Sequence, residues 1–130
     1  MLSRYYEIDG MVEKGFQRGR DLGFPTINIG LRSTIVPKHG VYAVLVRILS
    51  QKKERTLRGA ASIGSRPTYG DYEPNIEVFI FDFDENLYGE YVSISLVKFI
   101  RPELKFYSER ELISQMKADC KTIEKLLDND

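Results

Sequence analysis

The chain has 130 residues, 42% of them hydrophobic and 29% charged, which is the length and apolar content of one globular domain with a sizeable core. Nineteen Lys and Arg balance nineteen Asp and Glu, so the broad basic surface of a nucleic-acid binder is missing and no nucleic-acid partner is expected. A single cysteine, Cys120, and a single histidine, His39, exclude an internal disulfide and a Cys/His zinc site. No apolar run reaches membrane-span length and the polar opening MLSRYYEIDG has no signal-peptide core, so no membrane partner and a reducing, cytoplasmic setting are expected.

In chain order, residues 6–12 alternate loosely and read as a first strand. A long connection follows, from about Lys14 to His39, in which Gly15, Gly19 and Gly23 recur every fourth residue among Gln17, Arg18, Arg20 and Asp21. So long a connection in a small domain marks function more often than an idle loop. Its polarity rules out close helix packing, and the glycine spacing of dinucleotide folds and P-loops is absent. What remains is either a cationic loop whose N–H groups suit phosphates or an ordinary surface loop. Pro25 fixes its own φ and biases Phe24 toward an extended conformation. If residues 26–28 are extended, Thr26 and Asn28 point to one side, with Ile27 opposite in the core. A hydroxyl and an amide oxygen on one side suit Mg²⁺, or else they satisfy backbone groups of a turn.

Residues 40–49 are rich in β-formers on both faces, and 57–63 form a weaker run of small residues. In the strand at 75–81, Asn75, Glu77, Phe79 and Phe81 share one face while Ile76, Val78 and Ile80 share the other. Glu77 is thus an acid in a strand apolar on both sides, so it is paired, raised in pKa, or used. Residues 82–89 read as a hairpin connection; a calcium loop would need Gly where Leu87 stands and Glu where Ser93 stands. In the strand at 91–100 the apolar phase passes from Val92, Ile94 and Leu96 to Val97 and Phe99, which marks a bulge near Leu96. Beyond Pro102 the period becomes helical: Ser108 and Glu111 match a capping box, and Leu112, Ile113, Met116, Cys120, Ile123 and Leu127 form one stripe. Cys120 reads as buried packing on that stripe. The fold class is mainly β, antiparallel and of barrel type, with one C-terminal α-helix.

The ordered set Gly15…Gly19-Arg20-x-Leu-Gly-Phe-Pro-Thr-x-Asn28, Val36-Pro…Gly40-Val-Tyr-Ala, Ile63-Gly-x-Arg-Pro-Thr68, Glu77…Asp82-Phe…Leu87-Tyr-Gly89 and Arg101-Pro-Glu-x-Lys-Phe106 resembles riboflavin kinase over nearly the whole chain. The resemblance implies one kinase domain at 1–130: a closed six-stranded antiparallel Greek-key barrel at about 5–100 and a C-terminal helix at about 108–128. It implies transfer of the γ-phosphoryl group of ATP to the 5'-hydroxyl of riboflavin, giving FMN and ADP. Carried onto matching positions, it makes Glu77 the general base and assigns Gly15, Gly19, Arg20, Gly23, Phe24, Thr26 and Asn28 to the nucleotide. Thr26 and Asn28 also become ligands of Mg²⁺, residues 65–74 a second flap near the flavin, and Arg101 a group at the flavin end. The resemblance extends equally to stand-alone kinases and to the kinase half of bacterial bifunctional FAD synthetases, in which an adenylyltransferase domain comes first; residues 1–6 resemble the junction before that half. No motif for FMN adenylylation occurs in these residues, so the chain is expected to stop at FMN. A flavin-binding barrel module without kinase activity is the alternative class.

Overall fold

The structure is a computed structural model that describes residues 6–13, 26–30, 37–51, 55–68 and 71–128, with the side chains of 65–68 and 71–74 excepted. Six strands, β1 (Tyr6–Glu13), β2 (Ile27–Gly30), β3 (Gly40–Ile48), β4 (Thr56–Thr68), β5 (Asp71–Ile80) and β6 (Tyr91–Arg101), precede one helix, α1 (Glu109–Asp128). All neighbours pair antiparallel and the sheet closes in the order β1-β2-β5-β4-β3-β6. Three consecutive strands, β3 to β5, lie side by side and β6 returns against β3, which is the Greek-key arrangement. Closure leaves no sheet edge open.

Period-two alternation decides which side chains enter the barrel. Val44, Val46, Ile48, Ile63, Ile76, Val78, Val92 and Ile94 all point inward and are fully buried, and a small barrel has an interior of the width that such side chains fill. Ile29 and Ile27 of β2 join this core, so Asn28 between them faces outward.

Two features depart from the sequence reading. Residues 82–89 are not a hairpin turn, because β5 and β6 are not neighbours; they carry the chain across to the far side of the barrel, with Leu87 and Phe83 packed on the interior core. Turn chemistry is local: Asn86 Oδ1 accepts from Tyr88 N at 2.9 Å and Asp82 and Gly89 take positive φ, but none of this says which strands pair. Residues 65–68 and 71–74, assigned to the second flap, are strand, since the β4–β5 ladder continues through Ser65↔Pro74 to Thr68↔Asp71.

The bulge expected near Leu96 is present twice. Opposite Val41, Tyr42, Ala43 and Val44 of β3 stand Arg101, Phe99, Lys98 and Leu96, so Ile100 and Val97 are passed over. Both skipped residues pack in a second cluster outside the barrel, with Val41, Ala43, Phe79 and Phe81 against Ile123, Cys120, Leu126 and Leu127 of α1. The bulges therefore turn two apolar side chains toward the helix. Ser108 Oγ accepts from Glu111 N at 3.2 Å, and Glu111 Oε2 reaches back to Tyr107 N at 3.2 Å, one residue earlier than the usual reciprocal bond. Glu109 and Glu111 in the first turn and Lys125 in the last complement the helix dipole, and Arg58 of β4 pairs with Asp128 at the far end.

Candidate active site

Residues directly opposed on antiparallel strands put their side chains on one face. The register gives one such row around the outside of the barrel: Asn28 of β2, Glu77 of β5, Ser62 of β4, Val41 of β3 and Arg101 of β6. Residues 49 positions apart, Asn28 and Glu77, thereby become direct cross-strand neighbours. Asn28 is only 6% exposed, and Glu77 is half-buried.

Above this row, between barrel and helix, lies a cavity of about 410 Å³. That size is in the range of small-molecule sites. Its polar lining is Thr26, Ser62, Glu77, Arg101, Glu103 and Asp119. Its apolar lining is Val41, Ala60, Ala61 and Phe79 from the barrel, Leu104 and Phe106 from the segment after β6, and Leu112, Met116 and Cys120 from α1. A ligand with a planar apolar body and a polar tail fits such a mixed lining. Gly40 is needed at its edge, because it holds φ at +150° and a Cβ there would run into the Arg101 carbonyl oxygen.

Of the residues singled out by sequence, Thr26, Glu77 and Arg101 come together in this cavity and Asn28 lies beside it, opposite Glu77. Gly15, Gly19, Arg20, Gly23 and Phe24 fall outside the described residues. Arg101 is not paired with Glu103. Its Nε donates to both Asp119 carboxylate oxygens at 3.0 Å, its Nη2 donates to Oδ2 at 2.7 Å, and its Nη1 donates to the Pro102 carbonyl at 3.0 Å. Phe106 lies against the guanidinium, 5.9 Å from centroid to Cζ.

Asp119 is the group the sequence reading missed. It is 6% exposed, and Gln115 Nε2, one turn earlier, donates to its Oδ1 at 2.9 Å. The signal was available, since position 119 lies three residues from Met116 and four from Ile123 on the apolar stripe, where a carboxylate is as costly as Glu77 is in its strand. Next to it, Cys120 is half-buried, and burial first, then the charges of Asp119 and Glu124, push its thiol up to about 11. That makes it packing in place of a ready nucleophile.

The Flavokinase family model, described as riboflavin kinase, matches residues 2–127. The chain belongs to the riboflavin kinase family. Among curated relatives, bifunctional riboflavin kinase/FMN adenylyltransferases from Haemophilus influenzae and Bacillus subtilis are each 40% identical, over 94% and 92% of this chain. The chain spans only 39% and 38% of the length of those two proteins. A solved structure named as a macrolide-efflux protein from Streptococcus pneumoniae superposes with a TM-score of 0.81 at 38% identity, covering 92% of this chain and 38% of the other. A riboflavin kinase from Trypanosoma brucei shares the fold, with a TM-score of 0.71 at 24% identity, covering 94% of this chain and 76% of that one. The six-stranded closed barrel with one terminal helix is thus the fold of this family.

Proposed function

We propose that this chain transfers the γ-phosphoryl group of ATP to the 5'-hydroxyl of riboflavin, forming FMN and ADP. The observation that carries the reading is the placement of Glu77, an acid lining a cavity that also carries apolar and aromatic side chains, directly across from Asn28 and near Thr26. The isoalloxazine rings take the apolar lining, which includes Phe79 of the barrel and Met116 of the helix, and the ribityl chain runs toward Glu77. Glu77 then orients the 5'-hydroxyl and accepts its proton.

The donor set fits a magnesium nucleotide. Thr26 and Asn28 offer one hydroxyl and one amide oxygen, and Mg²⁺ takes few protein ligands beside waters and phosphate oxygens. Bound there, the ion would supply charge neutralisation on the phosphates. The chain's own part is alignment: β2 and β5 are hydrogen-bonded neighbours, so the groups assigned to phosphate and to the hydroxyl are fixed relative to one another by backbone. Gly15, Gly19, Arg20, Gly23 and Phe24 complete the nucleotide side in this reading. Within these residues the reading assigns the kinase step alone, although the relatives' names join it to an FMN adenylyltransferase. We place the reaction in the cytoplasm, where both substrates are; no helix among the described residues is long and apolar enough to cross a membrane.

Incubation with riboflavin, ATP and Mg²⁺ should yield FMN and ADP in equal amounts. Flavin binding without FMN formation would leave a flavin-binding module, and binding of neither substrate would remove the reading altogether.

A further inference from the structure

A buried ion pair is a poor way to tie a helix to a barrel. Two apolar side chains of similar volume hold such a seam as well or better, because they need no desolvation of charge. Yet Arg101 and Asp119 meet under α1 with side chains only 16% and 7% exposed, and Gln115 and the Pro102 carbonyl hold the two ends of the pair. Of the five N–H groups of a guanidinium, one on Nε, one on Nη2 and one on Nη1 are so engaged; the other two remain on a group that lines the cavity. Asp119 thus fixes the plane of Arg101 and cancels its charge at once.

The cavity as a whole follows the same rule. Among the described residues its charged lining is Glu77, Arg101, Glu103 and Asp119, one cation against three carboxylates. Such a site offers N–H donors without positive charge, which suits an uncharged polar ligand and repels a phosphate dianion that, unlike the nucleotide's phosphates, brings no magnesium ion to neutralise it. Riboflavin is uncharged and FMN carries the new phosphate.

We propose that Asp119 is a positioning residue that orients and neutralises Arg101, so that the cavity takes the uncharged flavin in preference to its phosphorylated product. This rests on the kinase reading of the same site. Asp119 touches neither the reacting hydroxyl nor the phosphate; it acts through Arg101, and it sets the discrimination between substrate and product that lets FMN leave.

The test compares dissociation constants for riboflavin and FMN, by quenching of flavin fluorescence, in wild type, in Asp119→Asn and in the double variant Arg101→Leu/Asp119→Leu. The Asn variant keeps the side-chain shape and frees the Arg101 charge, so the ratio of the FMN constant to the riboflavin constant should fall by roughly tenfold, and more at low salt than at high. The apolar pair should fold, bind riboflavin at least about tenfold more weakly, and keep the wild-type ratio within about threefold, because it removes one charge of each sign. A merely structural clasp gives different results: an unchanged ratio in the Asn variant, or wild-type riboflavin affinity in the apolar pair, and either overturns the proposal. Should Asp119→Asn fail to fold, the apolar pair alone decides. A wild-type chain that binds neither flavin removes the kinase reading first and this proposal with it, whereas a wild-type chain that binds riboflavin while the ratio does not move removes the proposal alone.

Discussion

Inside the barrel, Val44, Val46, Ile63, Ile76, Val78 and Ile94 make a wholly aliphatic centre, whereas the seam beneath α1 combines aromatic and aliphatic groups with Glu77, Arg101 and Asp119 around open space. Strand β5 belongs to both regions: Ile76, Val78 and Ile80 enter the interior, and Glu77 and Phe79 face the cavity. A dense interior keeps a strand from shifting, and the strand's outer face can then hold a costly group in a set direction. Stability and chemistry are thereby assigned to opposite faces of the same residues in sequence. Substitutions in the two regions should separate cleanly.

The largest expected effect is at Glu77. Glu77→Gln keeps size and much of the hydrogen bonding but cannot take up the proton, so kcat should fall by roughly two to four orders of magnitude. Riboflavin binding and the unfolding midpoint should be nearly retained. If Glu77 serves only as a buried partner, the same change instead costs on the order of 3–5 kcal/mol of stability and leaves turnover per folded molecule intact. Measuring kcat and thermal unfolding on one sample separates the two.

Ile94→Ala is the mirror experiment. Ile94 is fully buried in the interior cluster, and its truncation should cost about 2–5 kcal/mol, read as a lower denaturation midpoint at unchanged slope. Turnover of the folded fraction should stay within about twofold of wild type. A large loss of kcat at full folding would show that interior and outer face of the barrel are coupled, against the division drawn above.

Much of this division is legible in the sequence. Alternation in residues 75–81 put Glu77 on the face away from Ile76 and Val78, and the capping box marked the start of α1. Strand β2 is harder to read, since four residues carry too little period to stand out; Pro25 only suggests that 26–28 are extended, and a sixth strand is implied by the family resemblance alone. The crossing of 82–89 was misread because hairpin and crossover connections use the same turn residues, and only closure of the barrel decides which strands meet. Asp119 was overlooked for a related reason. A carboxylate on a helix is ordinarily solvent-facing, and its burial depends on Arg101, a partner 18 residues away on a different element.

Thr26→Ala should raise the KM for Mg²⁺-ATP by roughly 10- to 100-fold, the scale of losing a group that helps hold a metal, with riboflavin affinity nearly unchanged. Asn28→Ala should do the same, and the double variant should lose less than the product of the two effects, because both act on one metal-phosphate unit. Full additivity would mean that the two side chains serve different ends, and that the row from Asn28 to Arg101 is not one site.

The smallest expected effect concerns Cys120, which lies where the two regions meet, packed in the outer cluster and lining the cavity. Burial raises its thiol from 9.0 to about 11, so the folded protein holds this proton more tightly than the unfolded chain does. The resulting contribution to stability is complete below pH 9 and is lost as the pH rises toward 11. Because the side chain is only half-buried, solvent screening keeps the contribution small. Wild type should therefore lose stability between pH 9 and 11 slightly more steeply than Cys120→Ala, and the two curves should run parallel below pH 8. The same protonation predicts slow alkylation by iodoacetamide at pH 8, slowed further by riboflavin if the ligand fills the space beside Met116. Fast alkylation that riboflavin does not change would place the thiol outside the cavity and move the boundary between packing and site.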